Sequence, residues 1–162
     1  MLLSAVARST IIIGKVMAGF TTTWVLGVLL FSLGAALDWT RPEGIRWVTS
    51  LLIMALVALL STGLGVALGA ALQRIQPVTS LSVIVAFYLY FLAGGIGVLA
   101  FEPTWLQNIA AYSPLTYGVH ALQQAVFYSS SDQLGRDVLV LSLSALAALL
   151  LGVLSMRRRI AS

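Results

Sequence analysis

The chain has no cysteine, one histidine and an unusually small share of charged residues. Without cysteine there is no disulfide framework, no thiolate zinc site and no thiol nucleophile. A single histidine excludes a metal site built on paired histidines. Only 9% of the 162 residues are charged, whereas soluble domains are about one quarter charged. The low charge and high apolar content exclude an ordinary soluble enzyme and a disordered segment. So few basic residues also cannot form a nucleic-acid-binding face.

Hydrophobic residues make up 60% of the sequence, and they occur in long runs. A helix needs about 20 apolar residues to cross a bilayer core of about 30 Å. Four uncharged stretches reach this length and are predicted to span the membrane: about 16–37, 48–72, 78–100 and 138–156. All four prolines lie outside them, where a missing N–H is harmless. The sequence therefore predicts an all-α, polytopic membrane helix bundle over 16–156.

The connections between these spans differ in charge. One side carries six basic residues, Arg8, Lys15, Arg74, Arg157, Arg158 and Arg159. The other side carries the remaining three, Arg41, Arg46 and Arg136, together with every acidic residue. The positive-inside rule then places both termini in the cytoplasm and 157–162 as a cytoplasmic basic tail. We expect a multi-pass protein of the plasma (inner) membrane that is in contact with lipid along every span.

The segment between the third and fourth predicted spans is apolar enough to suggest a fifth crossing. Pro114 would break that helix, its five polar side chains would be desolvated, and an odd number of spans would place the arginine tail outside. We predict instead two short helices separated at Ser113-Pro114, which form a re-entrant hairpin over about 103–128 on the outer side. The predicted apolar faces are Trp105, Ile109 and Tyr112 in the first helix, and Leu115, Val119, Leu122 and Val126 in the second.

No residue pattern supports catalysis or a cofactor of the chain's own. The five acidic residues are predicted to lie in outer loops, with no spacing that pairs two carboxylates. Gly14-Lys15 is followed by Val16, and Ser9 stands where a P-loop has its first glycine. If the protein moves a substrate against a gradient, another chain must hydrolyse the nucleotide.

Small residues indicate close helix contacts in two places. Gly65 and Gly69, with Gly63 just before them, form a small-xxx-small stripe, which fits packing within the bundle or a seam between two copies. Gly94, Gly95 and Gly97 interrupt the outer part of the third predicted span. They fit a hinge or a close approach by the hairpin, and equally the ordinary frequency of glycine in membrane helices.

Four polar residues remain open to two interpretations each. Glu102 could bind a cationic group at an exit, or be a solvated interfacial carboxylate. His120 could contact substrate or sense pH, or simply be hydrogen-bonded. Arg8 and Lys15 could contact a cytoplasmic partner, or only fix the topology.

Two segments resemble the membrane subunits of type-2 ABC exporters, the ABC-2 type transporter permeases. They are LSAVARSTIIIGKVMAGF (3–20) and FEPTWLQNIAAYSPLTYGVHALQQAVF (101–127), with the glycine-broken third span between them. In that family an Arg and a Gly-Lys lead from a cytoplasmic coupling helix into a span. A Pro-Trp-Leu and a Pro-Leu-Thr-Tyr element then build an outer re-entrant hairpin. Arg8, Gly14-Lys15, Pro103 with Trp105-Leu106, and Pro114 to Tyr117 stand at the matching places.

The resemblance implies a C-terminal part of the permease domain. Members usually have six spans, so the first two and most of the coupling helix would lie upstream of Met1, and 1–15 would be the remnant of the coupling segment. Where the family often has an acidic residue and an Arg after the Tyr, this chain has His120 and Gln123. The polar contacts of that helix are therefore not carried over.

The implied function is that of a non-catalytic permease subunit in an ATP-driven exporter. Two such subunits, alike or different, would pair with separate ABC ATPase subunits that use ATP and magnesium, and would pass a drug, lipid or glycan-type substrate. Arg8 and Lys15 are the coupling candidates. The outer-gate candidates are Glu102, Pro103, Trp105, Pro114, Tyr117 and His120. The alternative is a small four-span membrane anchor, assembly or regulatory protein that transports nothing.

Overall fold

The computed structural model describes residues 8–37, 45–72, 75–94, 103–127 and 133–161. They form six helices: α1 (Arg8–Ala36), α2 (Ile45–Ala71), α3 (Ile75–Leu92), α4 (Thr104–Ala110), α5 (Pro114–Phe127) and α6 (Leu134–Ala161). The all-helical prediction is therefore confirmed over these residues.

Three of the described helices are long and apolar enough to cross a membrane. Their qualifying stretches are Ile13–Ala36, Arg46–Ala71 and Leu134–Met156, which match the predicted first, second and fourth spans to within a few residues. Most of their surface faces outward, as expected for helices that present apolar side chains to lipid on several sides.

The third predicted span is shorter than expected where the structure describes it. Its apolar stretch is Gln76–Leu92, below the length of a full crossing, and the rest of the prediction, 95–100, lies outside the described residues. Pro77 is in the first turn of α3, where its missing N–H leaves no helical carbonyl unpaired. The helix ends at Leu92, and Gly94 follows it in a turn with a φ of 82°, in the left-handed region that favours glycine.

The bundle is held together by α2 and α6, which run parallel and pack closely. Gly63 of α2 lies against the backbone of α6: a Cβ built on it would be 2.7 Å from the carbonyl carbon of Ala148 and from the nitrogen of Leu149. In the same way, a Cβ on Gly152 would lie 2.9 Å from the carbonyl oxygen of Gly63. The helices can approach this closely because both contact residues lack a side chain.

The buried core continues from this crossing toward the start of α6. It contains Ile53, Leu60, Ala121, Ala125, Leu141, Ala145 and Ala148, from α2, α5 and α6. Alanine at most of the contact positions of α5 and α6 keeps these helices near each other and near α2. Antiparallel to α2, α1 packs along its side, with the Trp24 indole N–H donating to the carbonyl oxygen of Leu51 over 3.4 Å.

The close α2–α6 contact can be tested by adding one methyl group. We expect Gly63→Ala to lower the free energy of unfolding by about 1–3 kcal/mol, because the new Cβ would clash with backbone atoms that cannot move independently. Thermal unfolding in detergent micelles would measure the change.

Gly65→Ala is the matched control, since a Cβ there meets no described atom within 4 Å. It should change the stability by less than about 0.5 kcal/mol. Equal effects of the two substitutions would contradict the close contact.

Candidate functional site

The helices α4 and α5 are separated at Ala111–Ser113, so the predicted break at Ser113-Pro114 is confirmed. Pro114 is the first residue of α5, a position where its fixed φ suits a helix start. The backbone N–H of Thr116 donates to the carbonyl oxygen of Ser113 over 3.2 Å. The Tyr117 hydroxyl donates to the carbonyl oxygen of Ala111 over 2.9 Å, which ties the first turn of α5 to the connection before it.

The predicted apolar face of the first short helix is turned outward. Trp105, Ile109 and Tyr112 are exposed, Tyr112 by 90%, whereas Leu106 and Ala110 are buried and pack against Leu92 of α3. The buried side of this helix is therefore offset by one residue from the predicted apolar face. A short apolar helix has several candidate faces, and only its neighbours decide which one is covered.

The second short helix packs against α2 and α6. Gly118 lies between them, since a Cβ built on it would be 2.8 Å from Cγ2 of Val57 and 3.4 Å from Cδ1 of Leu141. The Thr116 hydroxyl donates to the carbonyl oxygen of Leu92 over 3.3 Å and so links α5 to the end of α3. Of the predicted apolar face of α5, Val126 is buried and Leu115, Val119 and Leu122 are half-buried.

A polar cluster joins α5 to the first turn of α6. It consists of His120 and Gln124, one turn apart on α5, and Asp137 on α6. The distance from Nδ1 of His120 to Oδ2 of Asp137 is 2.5 Å, and Nε2 of Gln124 donates to the same oxygen over 3.1 Å. The side chain of Asp137 is only 4% exposed, whereas that of His120 is 46% exposed.

Hydrogen-bond donors surround the buried carboxyl group of Asp137. In the tautomer with a proton on Nδ1, His120 donates a hydrogen bond to Oδ2 of Asp137 beside that from Gln124. The 3.0 Å contact between Nδ1 and Nε2 of Gln124 is then a contact between two donors that share one acceptor. The N-terminal turn of α6 adds a favourable dipole for the negative charge.

The expectation that all five acidic residues lie in outer loops is wrong for Asp137. Asp137 lies in the first turn of α6 and is buried, because α5 covers it and supplies the two donors. For His120, the hydrogen-bonded interpretation is the one found. The sequence carried a partial signal, since His120 and Gln124 share a helix face at i, i+4 spacing, but their partner comes from a different helix.

Three other predicted gate residues lie on or next to α4 and α5. Pro103 is exposed immediately before α4, Trp105 is 62% exposed, and Tyr117 is half-buried. Glu102, Gly95 and Gly97 lie outside the described residues.

The predicted coupling residues lie on α1. Arg8 is the first residue of α1, in the described backbone, and Lys15 is exposed two turns later. The predicted packing glycines, Gly65 and Gly69, are also exposed, and a Cβ on either would meet no described atom within 4 Å. Within the described chain, the close helix–helix contact falls on Gly63, from the same predicted stripe, and on Gly152. The alternative for Gly65 and Gly69, a seam between two copies, stays a prediction.

The sequence model of the ABC-2 type transporter family matches residues 1–127, from before α1 to the last residue of α5. This chain belongs to the ABC-2 type transporter family. Membrane domains of this family are typically non-catalytic permeases. Comparison with curated proteins finds no match. The polar cluster therefore joins the last helix of the matched ABC-2 segment to α6, which follows it.

The polar cluster can be tested by a double-mutant cycle in this ABC-2 protein. We expect His120→Leu to destabilise the fold by about 1–3 kcal/mol, because it leaves the buried Asp137 carboxylate with one donor fewer. Adding Asp137→Leu should recover much of the loss, since no buried charge then remains.

Gln123→Leu, on the exposed neighbouring position of α5, is the control and should be nearly neutral. Unfolding in detergent micelles would measure His120→Leu, Asp137→Leu, their combination and the Gln123→Leu control. Additive effects of the two cluster substitutions would show that His120 and Asp137 do not interact.

Proposed function

We propose that this chain is the membrane subunit of an ATP-driven exporter and forms part of the path for a drug, lipid or glycan-type substrate. The carrying observation is the ABC-2 family match, which spans both the start of α1 and the broken helix pair α4–α5. A separate ABC ATPase would bind ATP and magnesium, since this sequence contains no P-loop. A second permease subunit would complete the path.

The packing of α5 supports a re-entrant arrangement. Gly118, one turn into α5, lies beside Leu141, which is about 10 Å along α6 from Leu134 at 1.5 Å per residue. From that depth α5 runs back toward the start of α6, where its His120 meets Asp137. A polar, broken segment at such depth needs protein or a water-filled cavity around it, and α2 and α6 provide part of that cover.

We propose that α4 and α5 form the outer gate of the path. The exposed side chains of Trp105 and Tyr112 would face a neighbouring subunit, lipid or the path itself. The opposite end would face the cytoplasm, with 1–15 as the coupling segment, both termini inside and α3 completing a fourth span. The plasma (inner) membrane is the expected location.

Association with an ATPase tests the exporter assignment. Tagged protein expressed from its own locus should co-purify with a P-loop ATPase. Membrane vesicles that contain this complex should show ATP-dependent transport of a candidate substrate. Arg8→Glu and Lys15→Glu should weaken the association by reversing charges at the coupling end, whereas Arg136→Glu, exposed at the opposite end, should not. A complex without any P-loop ATPase would contradict the proposal and favour a membrane anchor.

Cysteine labelling tests the proposed orientation. Because this sequence contains no cysteine, each introduced cysteine is the one thiol in it that can react. Single substitutions Asn108→Cys and Gln133→Cys, both at exposed positions, should react with a membrane-impermeant thiol reagent added to intact cells. Ser162→Cys should react only after the cells are permeabilised. Labelling of Ser162→Cys in intact cells would overturn the orientation and the four-span arrangement together.

A further inference from the structure

A cleft opens between the helices at the end of the bundle opposite the polar cluster. Its volume is about 590 Å³, within the range of ligand sites, about 300–1,000 Å³. It is lined by Lys15, Gly19 and Thr23 of α1, by Ser61, Thr62, Gly65, Val66, Gly69 and Ala70 of α2, and by Met156 of α6. We call it the Lys15 cleft.

The cleft exists because α1 and α2 separate as they approach this end. At Gly27 and Gly19 the helices are close, since a Cβ there would be 3.2 Å from Cε of Met54 and 3.1 Å from Cγ2 of Thr62, respectively. Farther along α2, a Cβ at Gly65 or Gly69 meets no described atom within 4 Å. The floor of the cleft is therefore bare helix backbone with small side chains beside it.

The charge on the described lining of the cleft is positive. Lys15 is exposed on it, and none of the lining residues is acidic. The sequence has no acidic residue in 1–37, 44–101 or 138–162, and every lining residue falls in these ranges. A cation at the mouth of a mostly apolar groove is complementary to an amphiphile with an anionic head.

We propose that the Lys15 cleft binds one anionic phospholipid, with its phosphate at Lys15 and an acyl chain along Gly65 and Gly69. The lipid comes from the leaflet at this end, which is the cytoplasmic one in the proposed orientation. A covering helix from another protein or a second copy would fill the groove with apolar side chains and leave Lys15 without an anion. The lipid satisfies both features, and its binding does not depend on the transport proposed above.

Lipid retention measured by native mass spectrometry tests the role of the charge. The full chain is purified with equal amounts of phosphatidylglycerol and phosphatidylcholine that carry the same acyl chains. The wild-type chain should retain phosphatidylglycerol preferentially, and Lys15→Gln should lower that retention about fivefold, the factor for one basic side chain near an anionic lipid. Arg136→Gln, exposed at the opposite end, is the control and should retain the wild-type preference.

Filling the cleft tests the groove. Gly69→Leu should lower the retention of both lipids, because the new side chain takes the place of the acyl chain. Gly135→Leu is matched to it, since Gly135 also has open space around it but lies at the start of α6. Photoactivatable phosphatidylglycerol in phosphatidylcholine vesicles should label the wild-type protein at 15–23 and 61–70. This measurement needs no substituted protein, so it remains valid even if a variant fails to fold.

Three results would overturn the proposal. Equal retention of the two lipids by the wild-type chain would show that the cleft has no preference for anionic lipid. Unchanged retention of phosphatidylglycerol in Lys15→Gln would show that Lys15 does not bind the phosphate. Cross-linking of two chains through Gly69→Cys, with lipid retention unchanged, would assign the cleft to a second copy. None of these measurements includes an ATPase, so a failure here leaves the exporter proposal intact.

Discussion

The contact between the backbones of α2 and α6 is the constraint on which the described bundle depends. Between two helices surrounded by lipid, hydrophobic burial contributes little, so association relies on close van der Waals packing. Gly63 and Gly152 allow that packing, and the alanines of α6 extend it toward its start. The core occupied by α5 and the side along which α1 packs are both set by the relative position of these two helices.

The two ends of the bundle differ in whether their charged side chains are buried or exposed. At one end, Asp137 is buried and satisfied by donors from His120 and Gln124, so the charge stabilises a contact between helices. At the other end, Lys15 is exposed beside an open cleft, so its charge is available to a partner or a lipid. The first arrangement holds α5 on α6, and the second leaves the Lys15 end of the bundle accessible.

Length and apolar composition predicted the long helices well, because a crossing requires about 20 apolar residues whatever its neighbours are. Pro114 likewise located the break between α4 and α5, since proline acts through its own ring. Which side of each helix is buried was harder to predict. Gly63, Gly65 and Gly69 all belong to the predicted stripe, yet the close contact falls at Gly63 and not at the other two, because the position of α6 decides which of them is covered. Asp137 was missed for the same reason, because its donors lie on another helix.

The order of Asp137 and its donors along the chain has a consequence for biosynthesis. His120 and Gln124 precede Asp137, so the ribosome completes both donors before the carboxylate emerges. The long helices that come earlier are apolar enough to enter lipid one at a time. When α6 follows them, the hydrogen-bonding side chains of α5 that pair with its buried acid are already in place.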